Sequence, residues 1–182
     1  MHRALLALSL AAVMTLTACG GDADDTAKLS GDEQKAARSL AAEFQGNQPT
    51  AAQRDSGICL GKALVSGAGV KKLVSSGMLT EDLAINAELP EVVPPEIAAA
   101  YADAVVECQD PRAEIESSRE FYPDATDQVV DDYVACMEDV DPKLLRAAVL
   151  ESATKAKSST ASEKYLKATK PCTDMLGVPK VS

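Results

Sequence analysis

Five cysteines, at positions 19, 59, 108, 136 and 172, constrain this chain more than any other feature of its sequence. They cannot all be paired within one chain, because pairs need an even count. Cys59, Cys108 and Cys136 each lie in a stretch whose apolar residues recur every three or four positions, and Cys172 follows such a stretch. No stretch alternates with period two, so helices are expected and a sheet is not. The predicted fold class is all-α: a helical bundle of about six to eight short helices in two related cysteine-stapled units.

Cys19 differs from the others in its surroundings. The chain opens "MHRALLALSLAAVMTLTAC", with a short basic head at His2 and Arg3 and an apolar run from Ala4 to Leu16 broken only by Ser9 and Thr15. That run is too short to span a bilayer as a resident helix. It has the order of a secretory signal peptide, predicted over residues 1–18. Leu16, Thr17, Ala18 and Cys19 resemble the bacterial lipobox, and the resemblance implies that Cys19 receives a diacylglycerol thioether after cleavage before it. An anchor with two or more acyl chains holds a protein stably, where a single chain is marginal. The expected address is the extracytoplasmic face of the cell membrane, with the membrane as a partner through lipid on Cys19.

Removal of residues 1–18 leaves 164 residues, within the span of one domain. The net charge of −10 becomes −11 when Arg3 is lost with them. Such an acidic chain is a poor partner for nucleic acid, which is bound through Lys and Arg. Anionic lipid head groups would repel it too. With two Phe, four Tyr and no Trp, its core must come mainly from Leu, Val, Ala and Ile. Disulfides would reinforce such a core, and export permits them.

The segment 19–29 is led by Gly20 and Gly21, is acidic, and is expected to be a lipid-anchored flexible spacer. A helical domain is predicted over 30–176, with a C-terminal tail at 177–182. Ser30 to Glu33 and Thr50 to Gln53 have capping-box spacing and should open the first two helices, ending near Gly46 and Ser66. A short helix is predicted over about 70–76, with Gly77 to end it. From Met78 to Val93 the sequence reads mostly as loop, with at most a helical turn capped by Thr80. Further helices should start at Pro95, resume near Pro111, follow an Asp124 cap, and follow Asp141 with Pro142 as first residue. The last is expected over about Ala161 to Lys170, ahead of Pro171.

A weak internal repeat orders these segments. "YADAVVEC" (101–108) and "YLKATKPC" (165–172) share Tyr, then Ala three on, then Cys four later. The segments from Ile58 and from Ala135 also correspond, each a Cys-bearing helix followed by a basic-apolar one. This order defines units of about 50–118 and 124–173. Four cysteines allow three connectivities, and free buried thiols are a further alternative. The repeat favours Cys59 with Cys108 and Cys136 with Cys172. Each link would restrict the unfolded chain by about 4 kcal/mol in the loop-entropy account. Between residues 58 and 172, the Cys-helix, the Gly-rich connection, "PPEIAAAYADAVVECQD" and the second Cys-helix resemble uncharacterised secreted or lipid-anchored helical proteins of actinobacteria. That resemblance implies a fold and an address, and no activity.

Catalytic templates match poorly. The only His is His2, inside the predicted signal peptide, so imidazole chemistry is not expected. Ser152 and Lys155 have the spacing of a nucleophile and its lysine base, without the accompanying motifs. "GICLGKA" from Gly57 lacks the spacing and the hydroxyl residue of a phosphate loop, and reads as a helix with a small-residue face. The acidic runs at 22–25 and 131–132 lack the pattern of a calcium loop. No cofactor or metal is expected, and no catalytic residue is assigned. If carboxylates did act, Asp131, Asp132 and Glu138 are the nearest candidates. Seven acidic residues between Asp124 and Asp141 and six Lys after Ala153 suggest solvated faces or mutual attraction, with a Lys-rich edge for an anionic surface as the functional alternative. The function expected is a membrane-tethered, non-catalytic module that binds another envelope component, such as an envelope protein. The alternative is a carrier of a lipid or other apolar ligand, and a carboxylate-based hydrolase comes third.

Overall fold

A computed structural model describes residues 29–45, 49–90, 92–155 and 159–179. The predicted signal peptide, Cys19 and nearly all of the spacer lie outside them. The described residues form α1 (Gly31–Gln45), α2 (Ala51–Ala68), α3 (Val70–Ser75), α4 (Pro95–Cys108), α5 (Pro111–Ser117), a 3₁₀ turn (Arg119–Phe121), α6 (Asp127–Glu138), α7 (Pro142–Ala153) and α8 (Thr160–Met175). The fold is all-α, and the only ladder contact among them is an isolated bridge between Leu79 and Ile85.

Local chemistry accounts for most of the boundaries. Ser30 and Glu33 exchange capping bonds at α1, as Thr50 and Gln53 do at α2. Pro95, Pro111 and Pro142 each open a helix, where a missing N–H leaves no intrahelical bond unmade. Gly69 and Gly77 take φ of 79° and 77°, a region that only glycine enters freely, and so separate α2 from α3 and end the turn after α3.

Three boundaries differ from expectation. The cap of α6 is Thr126, whose hydroxyl accepts from the Val129 N–H, and Asp124 precedes it in a turn. A cap side chain meets an N–H two or three residues on, and the N–H met here, that of Val129, is within that reach of Thr126 and five residues beyond Asp124. Thr80 organises a tight loop rather than a helical turn: its hydroxyl accepts from the Ala84 N–H and its own N–H reaches the Ala84 carbonyl. Leu83 has a φ of 63° there because its side chain is buried in the core, and burial holds the strained backbone. Finally, α8 continues through Pro171 and ends at Met175. Thr169, Cys172 and Leu176 are all buried, at spacings of three and four that keep them on one helical face. Packing of that face carries the helix past the proline.

Two cores result. The larger draws on α1 to α4 and the loop before α4, with Leu40, Leu64, Leu73, Leu79 and Ile97 almost fully buried. Each such side chain contributes about 1.5–3 kcal/mol. The smaller gathers Ile115, Ala125, Val130, Tyr133, Met137, Cys172 and Leu176 from the region of α5, α6 and α8. In the larger core α1 and α2 pack with little side chain between them. A Cβ added to Gly61 would stand 2.3 Å from the Ala37 carbonyl oxygen, and one on Gly57 would stand 3.0 Å from that of Ala41. The "GICLGKA" segment is therefore a small-residue helix face, as its sequence suggests.

The sulfurs of Cys59 and Cys108 lie 1.97 Å apart, joining α2 to α4, and those of Cys136 and Cys172 lie 2.04 Å apart, joining α6 to α8. These are the two pairs that the internal repeat favours. The likeness of the units stops at their second helices. Whereas α3 folds back on α1 and α2, α7 packs between α4 and α8 and so bridges the two stapled pairs. An ion pair of Arg146 with Asp103 ties α7 to α4 and holds the Asp103 carboxyl below its usual range. At the other contact between the units, α5 touches both α2 and α6.

Candidate functional site

The best candidate site is a groove beside the contact of α5 with α2, lined wholly by residues that precede the second unit. Phe44 of α1, Ala52, Gln53, Ser56, Gly57 and Leu60 of α2, and Asp110, Ala113, Glu114 and Ser117 of the α5 segment line a half-open space of about 100 Å³. Its floor is apolar at Phe44 and Leu60, and Phe44 is fixed by stacking on Tyr101, with ring centroids 6.0 Å apart. Its rim carries two carboxylates one helical turn apart.

Those carboxylates have different duties. Asp110 caps α5 by accepting from the Ala113 N–H at 3.0 Å. Glu114 makes no side-chain hydrogen bond or ion pair with any described residue. Glu114 is exposed. Even so, the protein packed around its carboxyl, and then the charge of Asp110, push that group above the usual carboxylate range. Two phenols of the second unit feel the same carboxylate. Burial, followed by Glu114, raises Tyr133 of α6. Burial also raises Tyr165 of α8, against a hydrogen bond from the Gln109 side chain, with Glu114 adding to the rise. Glu114 thus stands where elements of both units converge.

The carboxylates singled out in the sequence are elsewhere. Asp131 is ion-paired with Arg112, and Asp132 accepts from the Gln128 side chain. Both are exposed, as is Glu138, and none of the three lines the groove. Ser152 and Lys155 lie at the frayed end of α7, where Lys155 leaves the helix with a φ of 47°, so their helical spacing does not continue as a catalytic turn. The acidic segment 124–141 is answered in part by arginines that precede it: Arg119 pairs with Asp127 and Glu116, and Arg112 with Asp131. Of the C-terminal lysines, Lys170 pairs with Asp174 on its own helix. Among the described residues no three His, Cys, Asp or Glu side chains gather as metal ligands, and no helix is long and apolar enough to cross a membrane.

Sequence reasoning missed Asp110 and Glu114. The signal for Asp110 is present, an Asp directly before a helix-opening proline, but nothing local says that Glu114 will face α2. Comparison of the chain with protein-family models, with curated proteins and with solved structures finds no match.

Proposed function

We propose that the chain is a membrane-tethered, non-catalytic helical module of the cell envelope that binds another envelope component. The observation that carries this reading is the division of its sulfurs. Four cysteines stand at bonding distance in two pairs, which fits an oxidising compartment, and Cys19 is left over within "LTAC" behind an apolar leader. The carboxylates that an enzyme without histidine would rely on are spread over exposed faces and engaged with Arg112 and Gln128. The groove between α2 and α5 encloses about 100 Å³, below the roughly 300–1,000 Å³ of sites for drug-sized ligands, and so lends little to a carrier role.

Two experiments on the full chain in its own envelope test this. Cys19→Ala should release the protein into the medium, and unchanged membrane retention of a processed chain would defeat the anchor. Crosslinking of the wild-type protein in intact envelopes should trap a defined protein neighbour. Recovery of an apolar small molecule with the purified protein, and of no crosslinked neighbour, would replace the binding reading with the carrier.

A further inference from the structure

We propose that the groove between α2 and α5 is a docking pocket for a single lysine side chain presented by an envelope protein. The inference rests on the reading of the chain as an envelope-binding module and names the chemistry of its partner. The groove is an apolar slot with an acidic lip: Phe44 and Leu60 lie at its floor, and Asp110 and Glu114 stand one turn apart on its rim. Both carboxylates are exposed, and so open to a group arriving from solvent.

Charge selects a cation. No residue lining the groove is basic, and the arginines of the neighbouring segments are committed elsewhere. Arg112 pairs with Asp131, Arg119 with Asp127 and Glu116, and Arg54 donates to the Pro49 carbonyl. Capping of α5 uses Oδ1 of Asp110, which leaves its Oδ2 and the two oxygens of Glu114 as acceptors. A cation seated between them would also relieve the repulsion of like charges a helical turn apart. Size and shape select lysine. A half-open space of about 100 Å³ admits a side chain and not a drug-sized molecule. Lysine carries a compact ammonium with three donors on a flexible four-carbon stem. The stem would lie on Phe44 and Leu60 while the head stays hydrated beside the carboxylates, as long cationic side chains do on apolar surfaces. An aminophospholipid has a shorter stem that ends in its own phosphate, which the acidic rim would repel.

The first arm of the test titrates the full lipidated chain in detergent with a blocked Gly-Ser peptide carrying one central lysine, followed by NMR. Control peptides carry norleucine or arginine in its place. The lysine peptide should shift the signals of Phe44, Leu60 and Ala113 saturably, bind several-fold more tightly than either control, and weaken as salt rises. Glu114→Gln and Asp110→Asn, which keeps a capping side chain, should each weaken it several-fold. Ala52→Leu, which fills the groove without changing charge, should abolish the shifts. No shift in the groove, equal binding of either control peptide, or unchanged binding in Ala52→Leu overturns the proposal. The second arm photocrosslinks intact envelopes by a chemistry that needs no amine. Wild type should trap a protein neighbour, and Ala52→Leu and Glu114→Gln several-fold less of it. A neighbour trapped equally by all three removes the lysine pocket and leaves the envelope-binding reading standing. Absence of any protein neighbour in all three removes that reading, and this proposal with it.

Discussion

The pair α2–α4 and the pair α6–α8 carry the same staple, yet they are held together by different means. Around the first, backbones approach within glycine distance of α1 and a run of leucines closes the core. Around the second, the buried set is smaller and includes Tyr133, Met137 and the Cys172 sulfur itself. Closed loops of similar length, with sequence separations of 49 and 36 residues, make the unfolded-state effect of the two bridges nearly equal. What separates the units is therefore how much native packing remains once a bridge is gone.

The sharpest way to break this comparison is to remove the bridges in turn. Replacing Cys136 and Cys172 together by Ala should cost about 2–5 kcal/mol, with protection lost first across α6 and α8 while α2 and α4 stay protected. The same change at Cys59 and Cys108 should leave a more ordered first unit, because the aliphatic core persists. Equal loss of protection in both units, followed residue by residue by hydrogen exchange, would show that the packing difference does not matter. Next in size is Gly61→Ala. Its Cβ would meet a backbone oxygen that cannot rotate away, so α1 must shift at a cost of about 1–3 kcal/mol, measurable as a lower denaturation midpoint with the second unit unaffected. The smallest effect is expected at the start of α6. Loss of the Thr126 hydroxyl in Thr126→Ala should cost about 1 kcal/mol, whereas Asp124→Ala should cost α6 less if Thr126 alone is its cap. An equal loss in the two variants would return Asp124 to the role that its sequence suggests.

Much of the fold was legible because its signals are local. Capping boxes at Ser30 and Thr50, prolines at 95, 111 and 142, and the spacing of apolar residues each act within one turn of helix. The cysteine pairing was legible by a different route, the repeated Tyr-Ala-Cys spacing, which places both closing cysteines alike on their helices. Features decided by distant residues were not. Nothing near Pro171 says that a buried stripe from Thr169 to Leu176 will carry α8 onward. The acidic segment 124–141 suggested the C-terminal lysines as partners, but Arg112 and Arg119 come first because α5 and the 3₁₀ turn lie against α6. The place of Glu114 on the groove was invisible for the same reason: the packing of α5 on α2 is decided far away in sequence.

The position of α1 has a mechanical consequence. Both sulfur bridges enclose chain that begins at Cys59 or later, so α1 is outside every covalent loop and is retained by non-covalent packing, chiefly on α2, with a lesser contact with α3 and the stacking of Phe44 on Tyr101 of α4. A pull applied through the N-terminus would load that non-covalent seam before any bond to sulfur carried force. In a protein tethered from that end, α1 would act as a fuse: it would peel away first and leave the two cross-linked pairs intact.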